Sequence, residues 1–241
     1  MPSGGDWALQ RTGLIFLEGT VNATVESCTF TRNDGIGIMV SGFNRYATLQ
    51  NNEFVWNGET AMAGWGYTNN MDGTNGEQPR FTRVLNNFVH EIGHYEKQSS
   101  AWFQAKTAQS LIQGNIFFNG PRAMINLNDG FGGATRIQDN LLFNSCTESS
   151  DHGPINSWDR EPFLTEVRNG TASLIPAYTN ITHNFAVANY GANGGWWAKR
   201  KKEKQKEKKK ERRGEKEEQG DKMGGELSMA SVFVTLLRFY F

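Results

Sequence analysis

The side chains best suited to acid–base chemistry are three aspartates with a histidine and an arginine beside them: Asp129, Asp151, Asp159, His152 and Arg160. Cleavage of a glycosidic bond requires one carboxylic acid that protonates the leaving oxygen and one carboxylate that acts as base or nucleophile. Aspartates in loops more often form turns or cap backbone amides. These residue types therefore indicate either a hydrolytic site or ordinary loop structure, and the surrounding elements decide between the two.

A polysaccharide lyase would need different groups, namely a base and often a Ca²⁺ ion, because the substrate carboxylate must be neutralised. Lys97, Lys106 and Arg160 are candidates for the base, and Asp129 is a candidate ligand for the cation. Residues 1–198 carry 11 basic and 17 acidic side chains, a net charge of −6, which argues against an anionic substrate. We therefore expect Ca²⁺ only under this lyase alternative, and otherwise no cofactor.

Two histidines, His90 and His94, have the spacing of metal ligands on one face of a helix. The sequence around them favours a strand and a turn, where this spacing does not bring the two imidazoles together. We therefore predict no metal site. The sequence also contains no Gly-x-Ser-x-Gly nucleophile motif and no phosphate-binding loop.

The elements that position these residues are indicated by a repeat in which a turn residue precedes an apolar one. It occurs at residues 27–30, 52–54, 87–89, 115–118, 140–143 and 184–185. Successive units begin 25, 35, 28, 25 and 44 residues apart. An interval near 25 fits one coil of a parallel β-helix, with three short strands and three turns. The longest interval leaves room for two coils or for one coil with a long excursion, and that of 35 for an extra loop over residues 66–79.

The repeat predicts an all-β fold, a right-handed parallel β-helix over residues 1–195. Stacked coils bury apolar side chains that one coil alone leaves exposed. Asparagines at the same corner of each coil are expected to form a hydrogen-bonded ladder. Tight corners need left-handed backbone angles, which are readily adopted by the residues that follow several units, at 33–35, 57–58 and 119–120. A β-sandwich also has short strands and many turns, but sandwiches rarely repeat one motif at near-constant spacing.

The two cysteines are predicted to be free thiols. Cys28 and Cys146 lie four coils apart in the proposed stack. Four strand spacings amount to roughly 19 Å. A disulfide requires Cα atoms within about 7 Å of each other.

A polar outer face is predicted where residues 101–106, 123–128 and 153–158 stack as strands, with an insertion at residues 146–150. Strand alternation then directs one set of side chains inward: Phe103, Ala105, Ile125, Leu127, Ile155 and Ser157. It directs the other set outward: Trp102, Gln104, Lys106, Asn126, Asn128, Asn156 and Trp158. Amides, a carboxylate such as Asp129 and an indole suit a sugar-binding groove, although a polar outer face is also ordinary for a β-helix.

Three segments, residues 96–106, 126–133 and 150–160, resemble β-helix proteins of the pectin-lyase-like superfamily. The resemblance covers about residues 13–195. The third segment, Ser-Asp-His-Gly-Pro-Ile-Asn-Ser-Trp-Asp-Arg, is similar to the Asp-Ala-Gly-Ala-Ile…Arg-Asp segment of certain β-helix glycoside hydrolases. This resemblance implies that Asp151 and Asp159 form the catalytic pair. The superfamily contains lyases, hydrolases, epimerases and inert binders, so it implies a fold more strongly than an activity.

The resemblance breaks off after residue 195, where Trp196-Trp197 and a Lys/Glu run replace the expected Asp-rich stretch. The chain also begins almost inside a coil, so we expect a β-helix that is truncated at both ends. Residues 199–222 carry 13 basic and 7 acidic side chains, a net charge of +6. Residues 196–241 are predicted to form a separate low-complexity tail, either disordered or a frayed charged helix, with a short apolar end.

Partners and location follow from charge and hydropathy. The acidic body does not fit a nucleic-acid binder, and the apolar run at 229–241 is too short to span a membrane. No signal peptide is recognisable in residues 1–13, whereas sequons at Asn22, Asn169 and Asn180 would accept glycans in a secreted, longer form. The sequence therefore predicts a monomeric, carbohydrate-active protein. A glycoside hydrolase is favoured, and a silent glycan-binding or structural β-helix and a lyase are the alternatives.

Overall fold

The computed structural model describes residues 9–68, 73–128, 133–149, 152–157 and 178–190. Within these ranges all regular elements are strands, and they form three parallel sheets. Sheet 1 contains β1 (Ile15–Val21), β4 (Ile38–Arg45), β7 (Met62–Trp65), β8 (Pro79–Arg80), β11 (Trp102–Ala105), β14 (Ile125–Asn128) and β17 (Ile155–Ser157).

Sheets 2 and 3 complete each coil. Sheet 2 contains β2 (Thr24–Glu26), β5 (Thr48–Gln50), β9 (Arg83–Leu85), β12 (Leu111–Gln113), β15 (Arg136–Gln138) and β18 (Asn180–Thr182). Sheet 3 contains β3 (Thr29–Thr31), β6 (Glu53–Asn57), β10 (Phe88–Ile92), β13 (Ile116–Phe118), β16 (Leu141–Ser145) and β19 (Phe185–Asn189). The chain visits the three sheets in turn and pairs each strand with its counterpart one coil later, which confirms the predicted right-handed parallel β-helix.

The two irregular intervals of the repeat have different structures. In the interval of 35 residues, the chain leaves sheet 1 after β7 and returns through β8, which pairs with the end of β4. In the interval of 44 residues, β15 pairs directly with β18 and β16 with β19. The described strands of the longer interval therefore form one coil, with one strand in each sheet, rather than two coils.

The predicted asparagine ladder is present at the corner between sheets 2 and 3. It contains Asn52, Asn87, Asn115, Asn140 and Asn184. From Asn87 onward, each side-chain oxygen accepts hydrogen bonds from both the backbone N–H and the side-chain amide of the ladder residue one coil earlier, at 2.8–3.1 Å. Asn52 Oδ1 accepts from the Cys28 backbone N–H at 3.0 Å. The ladder thus pairs corner backbone groups that strands cannot reach, which buried polar groups require.

Two further corner positions repeat with a left-handed backbone. The residue directly before each ladder position has a positive φ, and so has the residue four positions after it. The second set is Trp56, Glu91, Asn119, Asn144 and Ala188, and Arg32 holds the equivalent position after Cys28; all six have φ between 52° and 59°. A left-handed residue bends the strand and re-aims a side chain, as in a β-bulge. These positions therefore turn their side chains toward the corner between sheets 3 and 1.

The prediction of which β11 side chains face the core was wrong, because the register of the strand differs by one residue from the predicted one. The sequence alignment pairs Phe103 with Ile125, whereas in the structure Trp102 pairs with Ile125. Trp102 and Gln104 therefore point into the helix, and Phe103 and Ala105 lie on the outer side. A slip of one residue exchanges every side chain between the two faces of a strand.

The inward orientation of Trp102 has a physical cause in the preceding coil. Gly64 leaves room for the indole, because a Cβ added there would lie 3.2 Å from the Trp102 ring. The Trp102 Nε1–H donates to Gln104 Oε1 at 2.9 Å, and Gln104 Nε2 donates to Thr135 Oγ1 at 3.0 Å. The core can thus hold both polar side chains because each has a partner there.

Cys28 is exposed and Cys146 is buried, and both are free thiols, as expected. In the described ranges, no helix has the length and hydropathy needed to cross a membrane. The tail at 196–241 lies outside the described residues.

Candidate functional site

An open pocket of about 500 Å³ lies at the corner between sheets 3 and 1. It is lined by Arg32, Asn33, Asp34, Trp56, His94 and Tyr95. This volume falls within the range of roughly 300–1,000 Å³ that is typical of small-molecule sites. The lining combines aromatic rings with charged and amide groups, so the pocket offers both apolar contact and hydrogen bonds to a ligand.

Three successive coils build this corner pocket, and backbone hydrogen bonds fix their order. Arg32 N–H donates to the Val55 carbonyl at 3.2 Å, next to Trp56 in the following coil. Tyr95 N–H of the third coil donates to the Gly58 carbonyl at 2.9 Å. Because Arg32 and Trp56 occupy the left-handed positions that re-aim side chains, both are directed to the corner.

The close packing of the three coils depends on Gly58. A Cβ at this position would lie 2.0 Å from the Asp34 carbonyl oxygen and 2.6 Å from the Tyr95 ring. Real Cβ atoms do not approach other atoms so closely, so a larger residue would push the Asp34 and Tyr95 segments apart. Gly58 therefore sets the width of the corner pocket.

The aromatic rings of the corner pocket are open to solvent. Trp56 is 50% exposed and Tyr95 is 58% exposed. The Trp56 ring stacks on His94, with centroids 5.3 Å apart and an interplanar angle of 26°. Asn33 donates to the Gly35 carbonyl at 2.7 Å, whereas its buried Oδ1 has no hydrogen-bond partner. The pocket thus presents two accessible aromatic rings beside the polar residues that line it.

Directly behind the corner pocket lie two buried carboxyl groups that sequence reasoning missed. Glu59 follows Gly58 and is 2% exposed, and Glu96 follows Tyr95 and is 1% exposed. Burial raises the pKa of Glu59, the nearby Glu96 carboxylate raises it further, and a hydrogen bond from the Gln10 backbone lowers it. Glutamates are seldom buried, so neither residue stands out in the sequence.

The predicted groove on sheet 1 is only partly reproduced. Asn126 and Asn156 pair across β14 and β17 on the outer side, and Asn156 Nδ2 donates to Asn126 Oδ1 at 2.9 Å. Asn128 lies on the same side, and all three asparagines are buried. Lys106, half-buried, follows the end of β11 with a left-handed backbone.

Two residues assigned to that groove do not belong to it. Trp102 is fully buried and Gln104 is 5% exposed, and both side chains face the interior of the helix. The prediction that they project outward to bind sugar is therefore wrong. Phe103 and Ala105, which occupy the outer side instead, are buried in an apolar cluster with Leu9 and Met39.

The remaining predicted site residues divide into two groups. His152 is 7% exposed, and its Nε2 contacts the Arg122 guanidinium, so it is part of a buried polar contact. The other five lie outside the described residues: Asp129, Asp151, Trp158, Asp159 and Arg160. The structure therefore leaves the predicted catalytic pair as a prediction.

No group of three or more His, Cys, Asp or Glu side chains with the geometry of a metal site occurs among the described residues. His94 stacks on Trp56, whereas His90 stacks on Phe118, with ring centroids 4.9 Å apart. The two imidazoles therefore belong to separate aromatic contacts.

Comparison with known proteins identifies the fold family. The model of a family described as "right handed beta helix region" matches residues 13–151, which is more than half of the 241 residues. No curated protein and no solved structure shows significant similarity to the chain. The match covers the corner pocket and the asparagine ladder from Asn52 to Asn140, and the chain belongs to the right-handed β-helix family.

Proposed function

We propose that this chain is a carbohydrate-active β-helix protein that binds a glycan in the corner pocket. The observation that carries the proposal is the exposure of the Trp56 and Tyr95 rings beside polar groups in one open pocket. Aromatic faces pack on the C–H side of a pyranose, while amides and acids bond its hydroxyl groups. Arg32, Asn33 and Asp34 line the same pocket and supply the polar groups for such hydroxyls.

Charge within the corner pocket narrows the class of ligand. Arg32 and Asp34 line it together, so the formal charges of these two side chains cancel. A neutral sugar can bond to both, whereas a uronate would meet Arg32 favourably and Asp34 unfavourably. We therefore expect neutral hexose or pentose polymers to bind more tightly than polyuronates.

Glycan binding is tested by titrating neutral and acidic oligosaccharides by calorimetry or Trp fluorescence. Truncation of a buried aromatic contact typically costs about 2 kcal/mol, so Trp56→Ala is expected to weaken binding more than tenfold. Tyr46→Ala is the matched control, because Tyr46 is also 50% exposed, has a positive φ and stacks on Phe81 at another corner. Equal affinity of the two variants for every bound glycan would refute the pocket assignment.

Glycoside hydrolysis by Asp151 and Asp159 is the second candidate function, and the pair of polar side chains Asn126 and Asn156 on the outer side of sheet 1 supports it. The two aspartates flank His152 and Ser157, and β17 carries Asn156 against Asn126 on the outer side of sheet 1. Fully extended, eight residue steps would span roughly 26 Å, whereas hydrolysis needs carboxyl groups about 5–10 Å apart. The chain must therefore fold back around β17 for the pair to act.

Hydrolysis is tested by measuring reducing-sugar release from a polysaccharide panel for the native chain and for Asp151→Asn and Asp159→Asn. A hydrolase loses activity in both variants while the corner pocket still binds glycan. Release of unsaturated products that requires Ca²⁺ would instead support the lyase alternative, with Lys97, Lys106 or Arg160 as base. Binding without any product would leave glycan recognition as the whole function.

A further inference from the structure

The outer side of sheet 3 is an apolar surface that no described part of the chain covers. It is formed by Phe88, Ile116, Phe118, Phe143, Phe185 and Val187, and is called the sheet 3 outer face below. Four of these side chains are substantially exposed: Phe88 39%, Ile116 37%, Phe185 48% and Val187 42%. The face extends over four coils, from β10 to β19, so it is a continuous patch rather than a scatter of single residues.

The geometry of its rings shows what kind of ligand this face fits. Phe118 and Phe143 stack with centroids 4.5 Å apart and an interplanar angle of 6°, and His90 stacks on the other side of Phe118 at 4.9 Å and 4°. Because the ring faces already contact each other, they are not free to pack on a sugar ring. Ring edges and aliphatic side chains remain, and these suit the side chains of another protein segment.

We propose that the apolar C-terminal segment of this chain, residues 229–241, docks on the sheet 3 outer face. Ten of its thirteen residues are apolar or tyrosine, and its only charged side chain is Arg238. Segment and face are each apolar surfaces that would otherwise contact water, and burying both is favourable by about 25 cal/mol per Å².

The position and length of the tail allow this contact. Among the described residues, β19 is the end strand of sheet 3, so Tyr190, which follows it, lies at the edge of the face. Thirty-eight residues separate Tyr190 from Met229. A flexible linker of this length spans roughly 35 Å on average, and six strands span about 24 Å. The segment can therefore reach every strand of the face.

The opposite net charges of the tail and of the rest of the chain also favour docking of the C-terminal segment. Residues 199–222, within the linker, carry a net charge of +6, whereas residues 1–198 carry −6. Attraction between the two holds the tail near the helix, and covalent linkage gives an effective concentration on the order of millimolar. Salt within the physiological range screens the charge attraction but does not change the effective concentration set by the covalent linkage.

The proposal is tested by crosslinking in the full chain with a short bis-maleimide, in a Cys28→Ser background because Cys28 is exposed. Ile116→Cys on the face is combined with Val234→Cys, and the control combines Arg83→Cys, exposed on sheet 2, with Val234→Cys. Docking predicts at least tenfold more intramolecular crosslink for the Ile116 pair. Equal yields at both positions would refute it, and crosslinks that join two chains would assign the face to a second copy.

A second measurement is the binding of a hydrophobic dye to the full chain. Its expected change has opposite signs depending on whether the C-terminal segment covers the sheet 3 outer face. Val234→Asp together with Leu237→Asp makes the segment polar without touching the helix. If the segment covers the face, these changes uncover it, and binding of a hydrophobic dye increases. If the segment does not cover the face, the changes remove exposed apolar groups, and dye binding decreases, which would overturn the proposal.

Discussion

Replacing the central ladder residue, Asn115→Ala, tests how the coils are held together. Asn115 Oδ1 accepts hydrogen bonds from the Asn87 backbone N–H at 2.9 Å and from Asn87 Nδ2 at 3.0 Å. Its own Nδ2 donates to the Val84 carbonyl at 2.9 Å and to Asn140 Oδ1 at 2.9 Å. Asn115 is fully buried, so water cannot replace these partners.

The loss in the free energy of unfolding caused by Asn115→Ala follows from those contacts. The substitution leaves the buried Asn87 N–H without a partner, at about 1–3 kcal/mol, and removes four further hydrogen bonds. Each of these is worth about 0.5 kcal/mol, the low end of the usual range, because two Nδ2 hydrogens serve three acceptors. Alanine also leaves a small cavity. We therefore expect a loss of about 4 kcal/mol in the free energy of unfolding. Asn184→Ala removes equivalent bonds at the half-buried end of the ladder, where water can substitute, and should cost about 1 kcal/mol.

Urea unfolding followed by far-UV circular dichroism measures both variants, and the slope of the transition reveals any loss of cooperativity in the solenoid. The difference between Asn115→Ala and Asn184→Ala, about 3 kcal/mol, is more reliable than either value alone. If both variants lose about 1 kcal/mol or less, the reasoning that the ladder satisfies otherwise orphaned corner amides is refuted.

Three further predictions concern the core, the buried carboxyl and the corner pocket. Trp102→Ala should cost about 3–5 kcal/mol in thermal or urea unfolding, whereas an exposed tryptophan would cost about 0.5 kcal/mol or less. The pKa of Glu59 is higher in the folded state than its ordinary value of 4.5. Protonated Glu59 therefore contributes its full stabilisation below pH 4.5, and this contribution is lost as the pH rises through the folded-state pKa. Glu59→Gln should therefore raise the melting temperature at alkaline pH and change it little below pH 4.5; an equal effect at both pH values would contradict the assignment. Gly58→Ala should lower glycan affinity at least tenfold, because its Cβ would meet the Asp34 carbonyl at 2.0 Å, and unchanged affinity would show that the coil spacing does not set the pocket.

The fold was predictable because a β-helix repeats its physical requirements in every coil. The interval near 25 residues and the asparagine at one corner both report the same stacking, and the ladder from Asn52 to Asn184 confirms it. The spacing could not decide between two coils and one excursion in the last interval. That choice depends on which strands pair across the gap, and the direct β15–β18 pairing is a long-range contact without a local signal.

The face of β11 was not predictable from alternation alone. The segment Ala-Trp-Phe-Gln-Ala contains adjacent aromatic residues, so both registers place one ring inside and one outside. The choice depends on neighbours in other coils, namely the space above Gly64 and the hydroxyl of Thr135 that bonds Gln104. Glutamine normally lies on an outer face. Gln104 can be buried in the core because it forms a hydrogen bond with Trp102.

The residues that line the corner pocket were not indicated by the sequence, and their backbone explains why. Along a straight strand, the alternation of residues predicts the direction of each side chain. Arg32 and Trp56 lie instead at left-handed corner positions, where the backbone bends and alternation fails. The same corner recurs in every coil, yet only in the first three does it carry the residues of the pocket, with Gly58 allowing the close approach. Because a corner is less constrained by the core than a strand, recognition residues can be changed there without disturbing the stack, which is the physical reason to expect the glycan at the corner.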